Sequence, residues 1–172
     1  MKDKFKKLLF SMLLMSATYP LFAQESKIGV SATMEATNDN LVIQSYGIDI
    51  DKSFSEHWGF ETGVNYKKNV FGFMDINYIS VPLAARFYSS FVNVSLGAEA
   101  NFYNNITLYP GLAYNSNIAI DAFKLTYFTS ISKAFCLNSR IIVEPGIKIN
   151  LFNPITSAEA NFGIGIKLRY KL

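Results

Sequence analysis

The sequence predicts an all-β fold: an eight-stranded antiparallel up-and-down transmembrane β-barrel, preceded by a cleaved signal peptide. Three observations predict it. After an N-terminal leader, the segments alternate apolar and polar side chains with the period of a strand. The polar faces of those strands collect the glycines and a balanced set of both charges. The connections alternate between short turns and longer loops, the pattern of a barrel with unlike ends.

The leader reads MKDKFKKLLFSMLLMSATYPLFAQ. Lys2, Lys4, Lys6 and Lys7 precede an apolar core from Leu8 to about Ala17, then a Pro20 break and small Ala23. That is a secretory signal peptide over 1–23, cut between Ala23 and Gln24, leaving 24–172 as one barrel domain. The leader holds four of the 16 basic and one of the 13 acidic residues, so the mature chain keeps 12 of each and is formally neutral. The pI of 8.9 therefore reflects the leader and gives no argument for nucleic acid. Hydrophobic residues make up 50% of the chain, yet no apolar run beyond the leader is long enough for a spanning helix. Cys136 is the only cysteine, so it makes no internal disulfide, and nothing around it in sequence gives it a reactive setting.

The strands follow in order. The first, about 27–35, sets Ile28, Val30, Ala32 and Met34 against Gly29, Ser31 and Glu35. The second, about 43–53, sets Tyr46, Ile48 and Ile50 against Gly47, Asp49 and Asp51. In the third, about 57–67, Trp58, Phe60, Val64 and Tyr66 oppose Gly59, Glu61, Gly63 and Asn65. In the fourth, about 77–88, Ile79, Val81, Leu83, Ala85 and Phe87 oppose Tyr78, Ser80, Ala84 and Arg86. The fifth, about 91–103, has Val92, Val94, Leu96, Ala98 and Phe102 against Asn93, Ser95, Gly97, Glu99 and Asn101. The sixth, about 119–131, is the least regular: Phe123, Leu125, Tyr127 and Ile131 oppose Lys124, Thr126 and Ser130, but Phe128 falls on the polar face. A bulge near Asp121 would repair its phase. The seventh, RIIVEPGIKINLF over 140–152, has Ile141, Val143, Pro145, Ile147 and Ile149 against Arg140, Ile142, Glu144, Lys148 and Asn150. The eighth, about 159–171, sets Phe162, Ile164, Ile166, Leu168 and Tyr170 against Glu159, Asn161, Gly163, Gly165, Lys167 and Arg169. Pro82 and Pro145 each remove a ladder donor, and the sequence predicts local bulges there.

The short connections are SFSE, YSSF and SKAFCLN; the longer ones are TNDNLV, KKNVFGFMDIN and NNITLYPGLAYNSN, with FNPITSA between them in length. An even strand count puts both termini at the short-turn end, the periplasmic end of an outer-membrane barrel.

Alternation alone fits two faces equally well, because a secreted soluble β-barrel or β-sandwich binding protein would point the apolar face inward. Two features choose the membrane. Glycine weakens a water-facing strand surface without return, but inside a narrow barrel it makes room for long neighbours. The polar faces also balance Asp49, Asp51, Glu61, Glu99, Glu144 and Glu159 against Arg86, Lys124, Arg140, Lys148, Lys167 and Arg169, as burial of charge requires. This set forms the expected lumen charge network. An eight-stranded interior is filled by side chains, so the expectation is a plugged lumen, with a narrow pore or small-ligand-binding barrel as the alternative.

These features resemble the small outer-membrane β-barrel proteins of the Bacteroidota, often labelled "porin family" and related in architecture to OmpA/OmpX-type barrels. The residues that carry the resemblance are the Ala23–Gln24 junction, WGFETGVNY (58–66), YISVPLAARFY (78–88) and the final GIGIKLRYKL (163–172). Leu172 stands where many such barrels end in an aromatic residue, with Tyr170 on the same outward row. The resemblance implies a location in the Gram-negative outer membrane and contact with its lipid and its assembly machinery.

Sites of chemistry are sparse. His57 is the sole histidine and sits in a predicted turn without a serine, cysteine or metal-ligand cluster, which favours a solvated turn residue over a catalytic base. No phosphate loop, zinc spacing or nucleophile elbow occurs. The expectation is a monomeric non-enzyme without cofactor or metal, binding no nucleic acid, and serving as a structural or surface-interaction protein. An unknown surface ligand would meet the outer connections Lys67–Asn77 and Asn104–Asn117, where Phe71, Phe73, Met74, Tyr109 and Tyr114 are candidate contact residues.

Overall fold

The computed structural model of the chain describes residues 25–36, 42–71, 74–108, 123–151 and 160–172, which hold strands and turns and no helix. The strands are β1 (Glu25–Ala36), β2 (Val42–Ser53), β3 (Trp58–Phe71), β4 (Met74–Tyr88), β5 (Asn93–Leu108), β6 (Phe123–Ser132, continued by Phe135–Cys136), β7 (Ile141–Asn150) and β8 (Asn161–Lys171). Each pairs antiparallel with the next, and β1 pairs with β8 from Lys27 opposite Lys171 to Ala36 opposite Phe162. The sheet is therefore a closed eight-stranded barrel with no free edge. At the seam the N–H of Leu172 donates to the carbonyl of Ser26 at 2.9 Å.

The burial pattern is the reverse of a water-soluble protein. Arg86 and Arg169 are each 1% exposed, while Ile164 is 69% and Val30 55% exposed. Along β8 the alternation is complete: Phe162, Ile164, Ile166, Leu168 and Tyr170 point out, and Asn161, Gly163, Lys167 and Arg169 point in. The soluble alternative, which needs the apolar face inward, is thereby overturned. Small inward residues let the strands and long side chains approach. A Cβ on Gly163 would stand 2.7 Å from Cγ of Glu35, and one on Gly29 would stand 2.7 Å from Cγ of Arg169.

The outer wall carries an aromatic row. Tyr46, Tyr66, Ile79, Phe102 and Phe123 are successive register partners across β2 to β6, and the Phe102 and Phe123 rings lie 5.3 Å apart. At the opposite end Trp58 meets Phe87 edge-on at 5.1 Å. Rings at both ends of an apolar band fit the two interfaces of a bilayer.

Three expectations change. The proline bulges are absent: the register runs unshifted through Pro82 on β4–β5 and through Pro145 on β7–β8. What Pro145 does instead is interrupt β6. Lacking an N–H, it cannot complete the ladder opposite Lys133, so β6 pauses at 133–134 and resumes at Phe135 in the same register. The register shift that does occur between β4 and β5 is at Asn77/Tyr78. Finally, much of the predicted outer connections is strand. Strand β3 runs on to Phe71, opposite Met74 at the start of β4, and β5 reaches Leu108. These three strands have 14, 15 and 16 residues, more than the about 9–11 a bilayer needs. Just beyond the aromatic row one outward row is polar, Gln44, Lys68 and Asn77, and this break hides the continuation from a search for alternation. The leader over 1–23, Phe73, Tyr109, Tyr114, Asp121 and Glu159 lie outside the described residues.

Candidate functional site

The site is the lumen, which is filled in layers. Nearest the end that carries the termini, Arg169 of β8 is the centre of a cluster. Its Nε donates to Asp49 Oδ1 at 2.9 Å, Nη1 to Asp51 Oδ2 at 2.6 Å, and Nη2 to Glu61 Oε2 at 2.6 Å. Glu144 Oε2 lies 2.9 Å from Nη1. Arg86 of β4 spans the same acids, donating to Glu61 and Glu144 and standing 3.4 Å from Asp51. Lys167 donates to the other oxygen of Glu61. Neutral donors complete the layer: Tyr88 to Asp51, and Ser132 and Asn93 to Glu144. Forked guanidinium groups suit this position because one cation can bind several carboxylates in fixed directions.

A second cluster lies nearer the loop end. Lys67 donates to Glu99 at 2.6 Å and stands 3.6 Å from Glu35; Lys148 stands 3.1 Å from Glu99 and 3.6 Å from Glu35. Asn150 donates to Glu35, and Lys148 rests 4.6 Å over the Phe128 ring. Beyond it, Ile43, Ile76 and Tyr78 form a small apolar cluster backed by Tyr103. Between the two charged layers is a cavity of about 70 Å³, bordered by Ser31, Thr33, Asn65, Ser130, Gly146 and Gly165. It has room for a few waters. The charged layers flank it on both sides.

Most of the expected charge network meets here: Asp49, Asp51, Glu61, Arg86, Glu99, Glu144, Lys148, Lys167 and Arg169. Lys124 lies on the inward face of β6 opposite Asn101. Arg140 is a correction. It is exposed in the turn before β7, where the Asn138 side chain accepts its N–H, and its guanidinium donates to Tyr170 on the outer wall at 2.7 Å. The inward phase of β7 begins only after this turn, at Ile142. Sequence reasoning also missed Glu35 and Lys67 as network members. Lys67 is the boundary residue in sequence, the end of the third strand and the start of the outer connection, although the inward series Gly63, Asn65, Lys67, Asn69 carries it inside. His57 is an exposed turn residue with Nδ1 3.3 Å from the Tyr88 carbonyl oxygen. No cluster of metal-ligating side chains occurs among the described residues.

No protein-family model and no curated protein sequence matches the chain. Solved structures do share its shape. The outer membrane protein OprG from Pseudomonas aeruginosa superposes with a TM-score of 0.58 at 13% identity, over 87% of this chain and 96% of that one. The fold is that of outer-membrane β-barrels. Neisserial surface protein A gives 0.53 at 12% identity over 86% and 96% of the two chains. The N-terminal β-barrel domain of Pseudomonas aeruginosa OprF gives 0.52 at 10% identity over 85% and 97%.

Proposed function

We propose that the protein is an integral outer-membrane β-barrel with a lumen plugged by paired charge, a scaffold that presents the segments at its loop end to the cell exterior. One observation carries the membrane part: isoleucines and aromatics form the outer wall while Arg86 and Arg169 are sealed inside. Transfer of that wall into water would expose a continuous apolar belt, which soluble monomers avoid. The two ion-paired layers carry the plug. On this reading the leader directs export, and the end with the termini and short turns is periplasmic. The barrel is a monomer in contact with lipid and the assembly machinery, without enzymatic chemistry or cofactor. The resemblance to Bacteroidota barrels and the shape shared with OprG support the same assignment.

The folded protein should migrate differently on SDS gels before and after boiling, and a soluble monomer in plain buffer would refute the membrane reading. Ile147→Arg, on the outer wall, should cost about 2–4 kcal/mol near the bilayer midplane. In planar bilayers no large steady conductance is expected; stable porin-sized steps would replace the plug with a channel. Protease added to intact cells should spare the turns at Phe54–His57 and Ser89–Val92, and cleavage there would invert the topology.

A further inference from the structure

The outer wall is not uniform. Tyr46, Ala32, Ile166 and Pro145 are register partners in one outward row across β2, β1, β8 and β7. Lys133 continues the row, its N–H donating to the Pro145 carbonyl at 3.0 Å. Two members, Ala32 and Pro145, are short, whereas the next outward row toward the loop end is long: Met34, Ile164, Ile147 and Ile131. The step between the rows leaves an open apolar groove of about 730 Å³, in the range of small-molecule sites of roughly 300–1,000 Å³. One end of the groove reaches the rim at Val92 and Lys133. Among the described residues the Lys133 ammonium makes no ion pair. It donates to the Ser90 carbonyl at 2.9 Å and stands 6.0 Å from the centre of the Phe91 ring. The lumen cations Arg86, Lys148, Lys167 and Arg169 all meet carboxylates, so this one differs.

We propose that the groove holds one anionic phospholipid of the adjacent leaflet, its acyl chain in the trough from Pro145 to Tyr46 and its phosphate on Lys133. Charge complementarity selects the occupant. An apolar trough ending in an unpaired cation at the membrane rim matches a hydrocarbon tail joined to an anionic headgroup, and a positive charge near the surface attracts such headgroups. The inference rests on the membrane reading above.

Native mass spectrometry of the detergent-solubilised protein with palmitoyl-oleoyl phosphatidylglycerol tests it. One retained lipid is expected. Ala32→Trp, which fills the trough from outside the lumen, should abolish retention, and Lys133→Ala should weaken it about five-fold. Val64→Trp, on the outer face of β3, should leave it unchanged. Folding of each variant is checked by the heat-dependent gel shift. Should Ala32→Trp misfold, Lys133→Ala reads the same site without adding bulk. No retained lipid, or equal retention by all variants, would overturn the proposal while leaving the membrane reading intact. A dimer that Ala32→Trp breaks, with no lipid retained, would assign the groove to a second copy and also overturn it. A chain that shows no gel shift at all would instead defeat the membrane reading itself.

Discussion

The two charged layers of the lumen do the same work with different side chains. Near the terminal end, Arg86 and Arg169 fork across carboxylates from β2, β3 and β7, so each cation ties several strands together. Near the loop end, Lys67 and Lys148 act as point charges shared between Glu35 and Glu99. The terminal layer carries more acids, but both layers are buried: the Arg86, Arg169, Asp51 and Glu144 side chains are 1% exposed, and so are Glu35 and Glu99. Deep in the lumen, a removed cation leaves acids that water cannot reach. In the loop-end layer two lysines share the same two acids, so the loss of one cation leaves the other in place. The layers should therefore differ in how much each residue matters.

The largest effect belongs to Arg169→Met. It strands Asp49 and leaves Glu144 to Arg86, Glu61 to Arg86 and Lys167, and Asp51 to Arg86 and a distant Lys27, so a loss of about 3–5 kcal/mol is expected. Urea unfolding in lipid vesicles, followed by the fluorescence of Trp58, the sole tryptophan, measures it. A loss no greater than that of the loop-end variants would erase the distinction between the layers. Gly165→Trp tests the belt between them. A Cβ there already stands 2.7 Å from Thr33 Oγ1, so a ring overpacks the lumen and should cost at least about 1–3 kcal/mol in the same assay. Unchanged unfolding would mean the belt is looser than its 70 Å³ cavity implies. Lys148→Met should cost about 1–3 kcal/mol, because Lys67 still serves Glu99 and Glu35. Smallest of all, His57→Ala on the exposed turn should stay within about 0.5 kcal/mol.

The terminal layer was more legible in sequence than the loop-end layer, for a physical reason. Asp49, Arg86, Glu144, Lys167 and Arg169 sit where the outward positions face hydrocarbon, and an apolar neighbour on each side marks the phase. Lys67 sits where the strand leaves the apolar band. Its neighbour Lys68 is also charged and pairs with Asp75 at 2.7 Å, so period two no longer shows as grease against charge. The same loss of contrast cut β3, β4 and β5 short. Arg140 failed in the opposite way: its phase was right, but the turn built on Asn138 holds it outside the wall. Pairing of β1 with β8 followed from strand parity, whereas the effect of Pro145 on its neighbour β6 required the register.

The seat of Arg169 on the final strand also sets an order in time. Its acids on β2 and β3 precede it by 108 to 120 residues. Until the last strand has been synthesised and joined to β1, Asp49 and Asp51 lack their main cation, and a chain broken before β8 carries that deficit permanently. A nearly complete barrel is thus penalised far more than the loss of one strand's contacts would suggest. The charge layer separates finished molecules from unfinished ones by their stability, with the C-terminal strand as the piece that settles the difference.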